Sequence, residues 1–164
     1  KSEYGVTLTV DEIVDGVNKM IEKYYTCEVK LKSGVKELLE KFEDNRVKMC
    51  IATATDIHLV KAALKRLDID GYFSEIFTCS SVGYGKDEPV IYRKALEFLG
   101  TDKSKTVVFE DAAYAVKTAK KDGFITVGVF DIYEKNQSEI KNLADFYITD
   151  YQKIEDICKF VSAI

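Results

Sequence analysis

The chain has 164 residues, 46% hydrophobic and 32% charged, with a formal net charge of −4. That hydrophobic content supports a substantial core and excludes disorder, and no apolar run approaches the roughly 20 residues of a membrane helix. The lysines are interleaved with Asp and Glu, which argues against a nucleic-acid footprint, so neither a nucleic-acid nor a membrane partner is expected.

Thr9-Val10-Asp11-Glu12 has the pattern of a capping box. It predicts a helix to about Tyr25, with Ile13, Val17, Met20, Ile21 and Tyr24 on its apolar face. Ser33-Gly34 is read as the cap of a second helix carrying Val35, Leu38, Leu39 and Phe42 at helical spacing. An α/β sheet rarely opens with two helices. Residues 1–30 are therefore assigned to a separate helical unit and 31–164 to an α/β core.

From there strands and helices alternate. The apolar run Val47–Thr53 predicts a first strand, followed by a helix over 56–67. Strands over 75–79, 106–110, 124–129 and 146–148 follow, separated by helices over 88–99, 112–121 and 138–143. A helix over 151–162 closes the chain. The alternation implies right-handed crossovers and a Rossmann-like, three-layer, mostly parallel sheet. Asp68-Ile69-Asp70 follows a helix and leads into Gly71, and is read as a turn.

Cys27, Cys50, Cys79 and Cys158 are scattered, and His58 is the lone histidine. The spacing suits neither a zinc site nor a triad with a histidine base, and free thiols suggest a reducing cytoplasm. Nothing in the sequence fixes the oligomeric state.

Three groups with chemistry fall at strand ends. Thr53-Ala54-Thr55-Asp56 offers hydroxyls and amides to an anion, or merely caps the next helix through Thr55 or Asp56. Lys86 follows Gly83-Tyr84-Gly85 and can reach back over the strand ends, or simply be a solvated lysine. Glu110-Asp111 ends an apolar strand, where carboxylates need a cation or donors, unless Asp111 is only a helix cap. Open α/β sheets bind ligands at the carboxyl ends of their strands. Phosphate donors, a neutralising lysine and hard oxygen ligands are the equipment of phosphoryl transfer.

The series Ile51–Thr55, Gly85–Tyr92 and Val107–Asp111, ending at Asp122-Gly123, resembles motifs two, three and four of the haloacid dehalogenase superfamily. The resemblance is strongest to the helical-cap branch of β-phosphoglucomutase and sugar-phosphate phosphatases. It implies that residues 1–30 are the end of the cap, and that the Thr53 hydroxyl and Ala54 amide hold a phosphoryl group. It also implies that Lys86 neutralises charge, and that Asp111 ligates Mg²⁺ with Glu110 in support. Asp87, Ala112 and Ala115 depart from the usual pattern, in which Pro, Ser and Gly stand at these places.

The family's nucleophile, the first Asp of Asp-x-Asp-x-Thr/Val on a central strand, has no counterpart in the 164 residues. The resemblance implies a fragment, inactive alone, with a one-strand gap between the strands beginning near Val47 and Thr106. The implied activity of the intact protein is a Mg²⁺-dependent phosphatase or phosphomutase for a small phosphorylated metabolite. A receiver domain places its acids before the Thr and Lys, the reverse of the order here. A non-catalytic binding protein of the same fold is the other alternative. Replacing Lys86 is expected to abolish activity and leave folding nearly unchanged.

Overall fold

The computed structural model describes residues 9–164, so the first eight residues of the expected cap segment lie outside it. The capping box forms: the Glu12 amide donates to the Thr9 hydroxyl at 3.2 Å, and the Thr9 amide donates to the Glu12 carboxylate at 2.6 Å. It opens α1 (Val10–Lys23), on which Ile13, Val17, Met20 and Ile21 are exposed, Met20 by 72% and Val17 by 48%. The chain then widens into one π turn, Tyr24–Glu28, closed by the Val29 amide on the Tyr24 carbonyl at 2.8 Å.

Ser33 does not cap α2 (Val35–Asp44). Gly34 holds that position at φ +83°, and the Ser33 hydroxyl instead accepts a bond from Gln152 at 3.4 Å. The following elements are β1 (Ile51–Thr53), α3 (Ile57–Arg66), β2 (Ile76–Thr78), α4 (Cys79–Val82) and α5 (Val90–Leu99). They continue as β3 (Val107–Glu110), α6 (Ala113–Lys121), β4 (Ile125–Val129), α7 (Gln137–Leu143), β5 (Phe146–Ile148) and α8 (Ile154–Ser162). The short helix α4 was not anticipated; Thr78 and Ser81 cap it reciprocally. Asp68 takes φ +56° and Asp70 opens a 3₁₀ turn, which matches the turn read there.

Every strand pair is parallel. β1 pairs with β2 in one sheet, and β3, β4 and β5 form another in that order. Strand alternation shows helices on both faces of the larger sheet. Val127 and Val129 pack with Leu38, Phe42 and Ile157 of α2 and α8. Gly128, one residue out of phase, lies against Ile140 of α7. On β3, Phe109 meets Phe42 of α2, while Val108 packs into the cluster built on Ile91 and Tyr92 of α5. The expected α/β architecture is thus present.

β1 is shorter than the expected 47–53. Strand assignment needs a ladder, and β1 has a partner strand only on its β2 side. β1 and β3 do not pair. Between them lies a cavity of about 660 Å³, lined by Met49, Ala52, Tyr92, Val107, Val108 and Phe109 among others. The Tyr92 hydroxyl, on a side chain only 3% exposed, has no hydrogen-bond partner among the described residues.

Candidate active site

Alternation along β3 turns Glu110 to the same face as Val108, the face covered by α5. The loop before α5 carries Lys86. Gly83 at φ +78° ends α4 in a left-handed turn that starts this loop. The Lys86 ammonium donates to both Glu110 oxygens, at 2.9 and 3.1 Å. The pair is buried, with Lys86 12% and Glu110 7% exposed. Burial raises the Glu110 pKa, and Lys86 opposes that rise by charge and hydrogen bond.

Asp111 is exposed and does not cap α6. Ala112 occupies the cap position, and the Ala113 amide donates to Glu134 at 3.1 Å. The Asp111 carboxylate makes no hydrogen bond or ion pair among the described residues. It lines a cavity of about 240 Å³ together with Lys32, Phe109, Glu110, Val129 and Tyr151. Burial pushes the Tyr151 phenol up to about 12, so it stays protonated at neutral pH.

Thr53 ends β1, in the other sheet. The Thr55 amide donates to the Thr53 hydroxyl oxygen at 3.1 Å. That bond occupies a Thr53 lone pair and leaves its O–H free to donate. Neither Thr55 nor Asp56 caps α3 with its side chain. Ala54 is exposed in the same turn. The structure therefore joins Lys86 to Glu110 directly and sets Asp111 beside them. No hydrogen bond or ion pair among the described residues links Thr53 to that group.

The sequence reading missed Lys32 and Glu134. Lys32 donates to the Phe130 carbonyl at 2.8 Å and to Asp131 at 3.1 Å, just past β4. Both contacts span long stretches of chain, and no local spacing marks them.

The family profile of the haloacid dehalogenase-like hydrolases matches residues 2–129, most of the chain. The chain belongs to this family. As a haloacid dehalogenase-like chain it is 39% identical over 90 residues to a phosphorylated carbohydrates phosphatase of Thermotoga maritima, which covers 55% of this chain and 42% of that protein. It is 26% identical over 144 residues to a provisionally named pyrophosphatase, PpaX, of Caldanaerobacter subterraneus, covering 84% of this chain and 63% of that one. The fold matches a crystal structure of a provisionally named beta-phosphoglucomutase of Thermotoga maritima, with TM-score 0.83 and 27% identity. That match covers 98% of this chain and 74% of the other. The chain thus spans less than two thirds of either curated relative.

The donor set can be tested against the Mg²⁺ that the resemblance implies. No cluster of three metal-ligating side chains occurs among the described residues. Mg²⁺ typically takes only one or two carboxylates, with waters and substrate oxygens completing its shell. Asp111, an exposed carboxylate beside a cavity, fits that role. Glu110, with both oxygens held by Lys86, fits a supporting one.

Proposed function

We propose that the intact protein is a Mg²⁺-dependent phosphatase or phosphomutase acting on a small phosphorylated metabolite, most naturally a sugar phosphate, in the cytoplasm. The carrying observation is the buried Lys86–Glu110 pair beside the unengaged Asp111 carboxylate at the end of β3. The phosphorylated carbohydrates phosphatase relative supports the substrate class.

In this reading a strand seated between β1 and β3 supplies the nucleophilic Asp. Three features support the seat: the two strands do not pair, an apolar cavity lies between them, and the Tyr92 hydroxyl lacks a partner. The Asp carboxylate attacks phosphorus, a new P–O bond forms, and the bond to the substrate oxygen breaks as that oxygen takes up a proton and leaves as the alcohol. Water or a second sugar hydroxyl, losing its proton, then takes the phosphoryl group, breaking the Asp–phosphate bond and restoring the carboxylate. The Thr53 hydroxyl and Ala54 amide hold its oxygens. Lys86 balances charge at the end of β3 and fixes Glu110. Asp111, supported by Glu110, would hold Mg²⁺, which supplies neutralisation of the phosphoryl oxygens when bound. The helical segment 1–30 is, on the same reading, the end of a cap.

The test is turnover of p-nitrophenyl phosphate and sugar phosphates by the complete gene product across a Mg²⁺ titration. Mg²⁺-dependent release of phosphate, lost in Lys86→Met, is expected. Phosphate binding with no turnover on any phosphate ester would replace this reading with that of a non-catalytic binding protein.

A further inference from the structure

The connector between α1 and α2 is fastened to the core at three places. The Tyr25 hydroxyl lies 3.0 Å from the Thr55 hydroxyl. Arg66, at the end of α3, donates to the Tyr25 and Val29 carbonyls at 3.4 and 2.5 Å. Lys32 reaches the Phe130 carbonyl and Asp131, beyond β4. The π turn explains the first contact. Its wider winding breaks the helical phase of α1, and both Tyr25 and Thr55 are half-buried while Ile13, Val17, Met20 and Ile21 of α1 stay exposed.

Only the Tyr25 contact touches the turn after β1. Thr55 is bonded twice: its amide to the Thr53 hydroxyl, its own hydroxyl to Tyr25. A chain therefore runs from the connector to the Thr53 hydroxyl, whose O–H stays free to donate. Without the Tyr25 bond the Thr55 residue loses one of its two tethers, so its backbone amide, and the Thr53 hydroxyl bonded to it, are held less tightly.

We infer that Tyr25 is a positioning residue: through Thr55 it holds the Thr53 turn in its anion-receiving geometry and couples that geometry to the placement of the helical segment. This rests on the phosphoryl-transfer reading for its consequence in catalysis, and on the three hydroxyls alone for its geometry.

The experiment uses the complete gene product with Tyr25→Phe, Thr55→Val and the double variant. Each single variant should raise the dissociation constant for inorganic phosphate and the KM for a phosphate ester about fivefold, the worth of one hydrogen bond. kcat should change less, and the melting temperature should stay near that of the wild type. The double variant should be no worse than either single one, because both remove the same bond. Additive losses, or unchanged phosphate affinity in Tyr25→Phe, overturn the proposal. Amide hydrogen exchange separates it from the function reading. The Thr55 amide should exchange faster in Tyr25→Phe whether or not the protein turns over any ester, and unchanged protection there overturns the latch itself.

Discussion

The Lys86 ammonium donates to both oxygens of Glu110 from a site where neither side chain is more than 12% exposed. A buried pair of this kind is costly to break from one side, because the remaining charge keeps its desolvation penalty. The expectation that Lys86 could be removed without affecting folding is therefore corrected. Burial gives Lys86 a structural part whatever its chemical one.

Lys86→Met should destabilise the fold by about 3 kcal/mol, the usual scale for an orphaned buried charge. The loss should depend on pH. Without Lys86, burial alone acts on Glu110, whose folded pKa then lies further above its unfolded value. Stability is greatest below the unfolded pKa and falls as pH rises above it. Denaturant midpoints should therefore drop more at pH 8 than at pH 4.5. Adding Glu110→Gln should restore much of the stability while leaving the protein inactive.

Asp111→Asn should behave differently. Its carboxylate is exposed and makes no hydrogen bond among the described residues, so melting should be unchanged. Turnover should require more Mg²⁺ and be partly rescued at high Mg²⁺. Loss that no Mg²⁺ concentration recovers would remove Asp111 from the metal role.

Asp122 anchors a separate network, bonded to the Arg93 guanidinium and, at 2.9 Å, to Lys103. The Arg93 bond leads the effects that hold its pKa down to about 2. A depressed carboxylate stabilises above its unfolded pKa and loses that contribution as pH falls through the folded one. Asp122→Asn should cost about 2 kcal/mol at pH 7 and almost nothing near pH 2, measured by chemical denaturation.

Gly34→Ala should also destabilise. The residue sits at φ +83°, and a Cβ there would stand 2.5 Å from the Tyr151 carbonyl oxygen. Left-handed strain and the backbone clash together should cost about 2–4 kcal/mol. Because Tyr151 lines the cavity beside Asp111, a shift there should also alter the Mg²⁺ dependence of turnover.

The sequence alone determined what local pattern can carry. Helical spacing fixed α2, α3 and α5, apolar runs located all five strands, and Thr9 with Glu12 specified a cap. It also put Thr53, Lys86 and Glu110-Asp111 at strand ends, since chemistry-bearing residues after apolar runs can hardly be elsewhere in an α/β chain. What it could not determine were partners far apart along the chain. Ser33 looked like the cap of α2, yet the backbone there needed a left-handed glycine and Ser33 turned to Gln152. Asp111 looked like a possible cap of α6, but Glu134 takes that bond from 21 residues away, and Asp111 has no bond among the described residues. The extent of β1 was likewise decided by tertiary structure, because a strand ends where its ladder ends and, among the described residues, no strand lies between β1 and β3. Taken alone, Lys86 read more readily as a solvated lysine, until the packing of α5 against β3 closed it over Glu110. Hydrogen-bond partners and burial depend on which distant segments meet, and only the folded chain settles that.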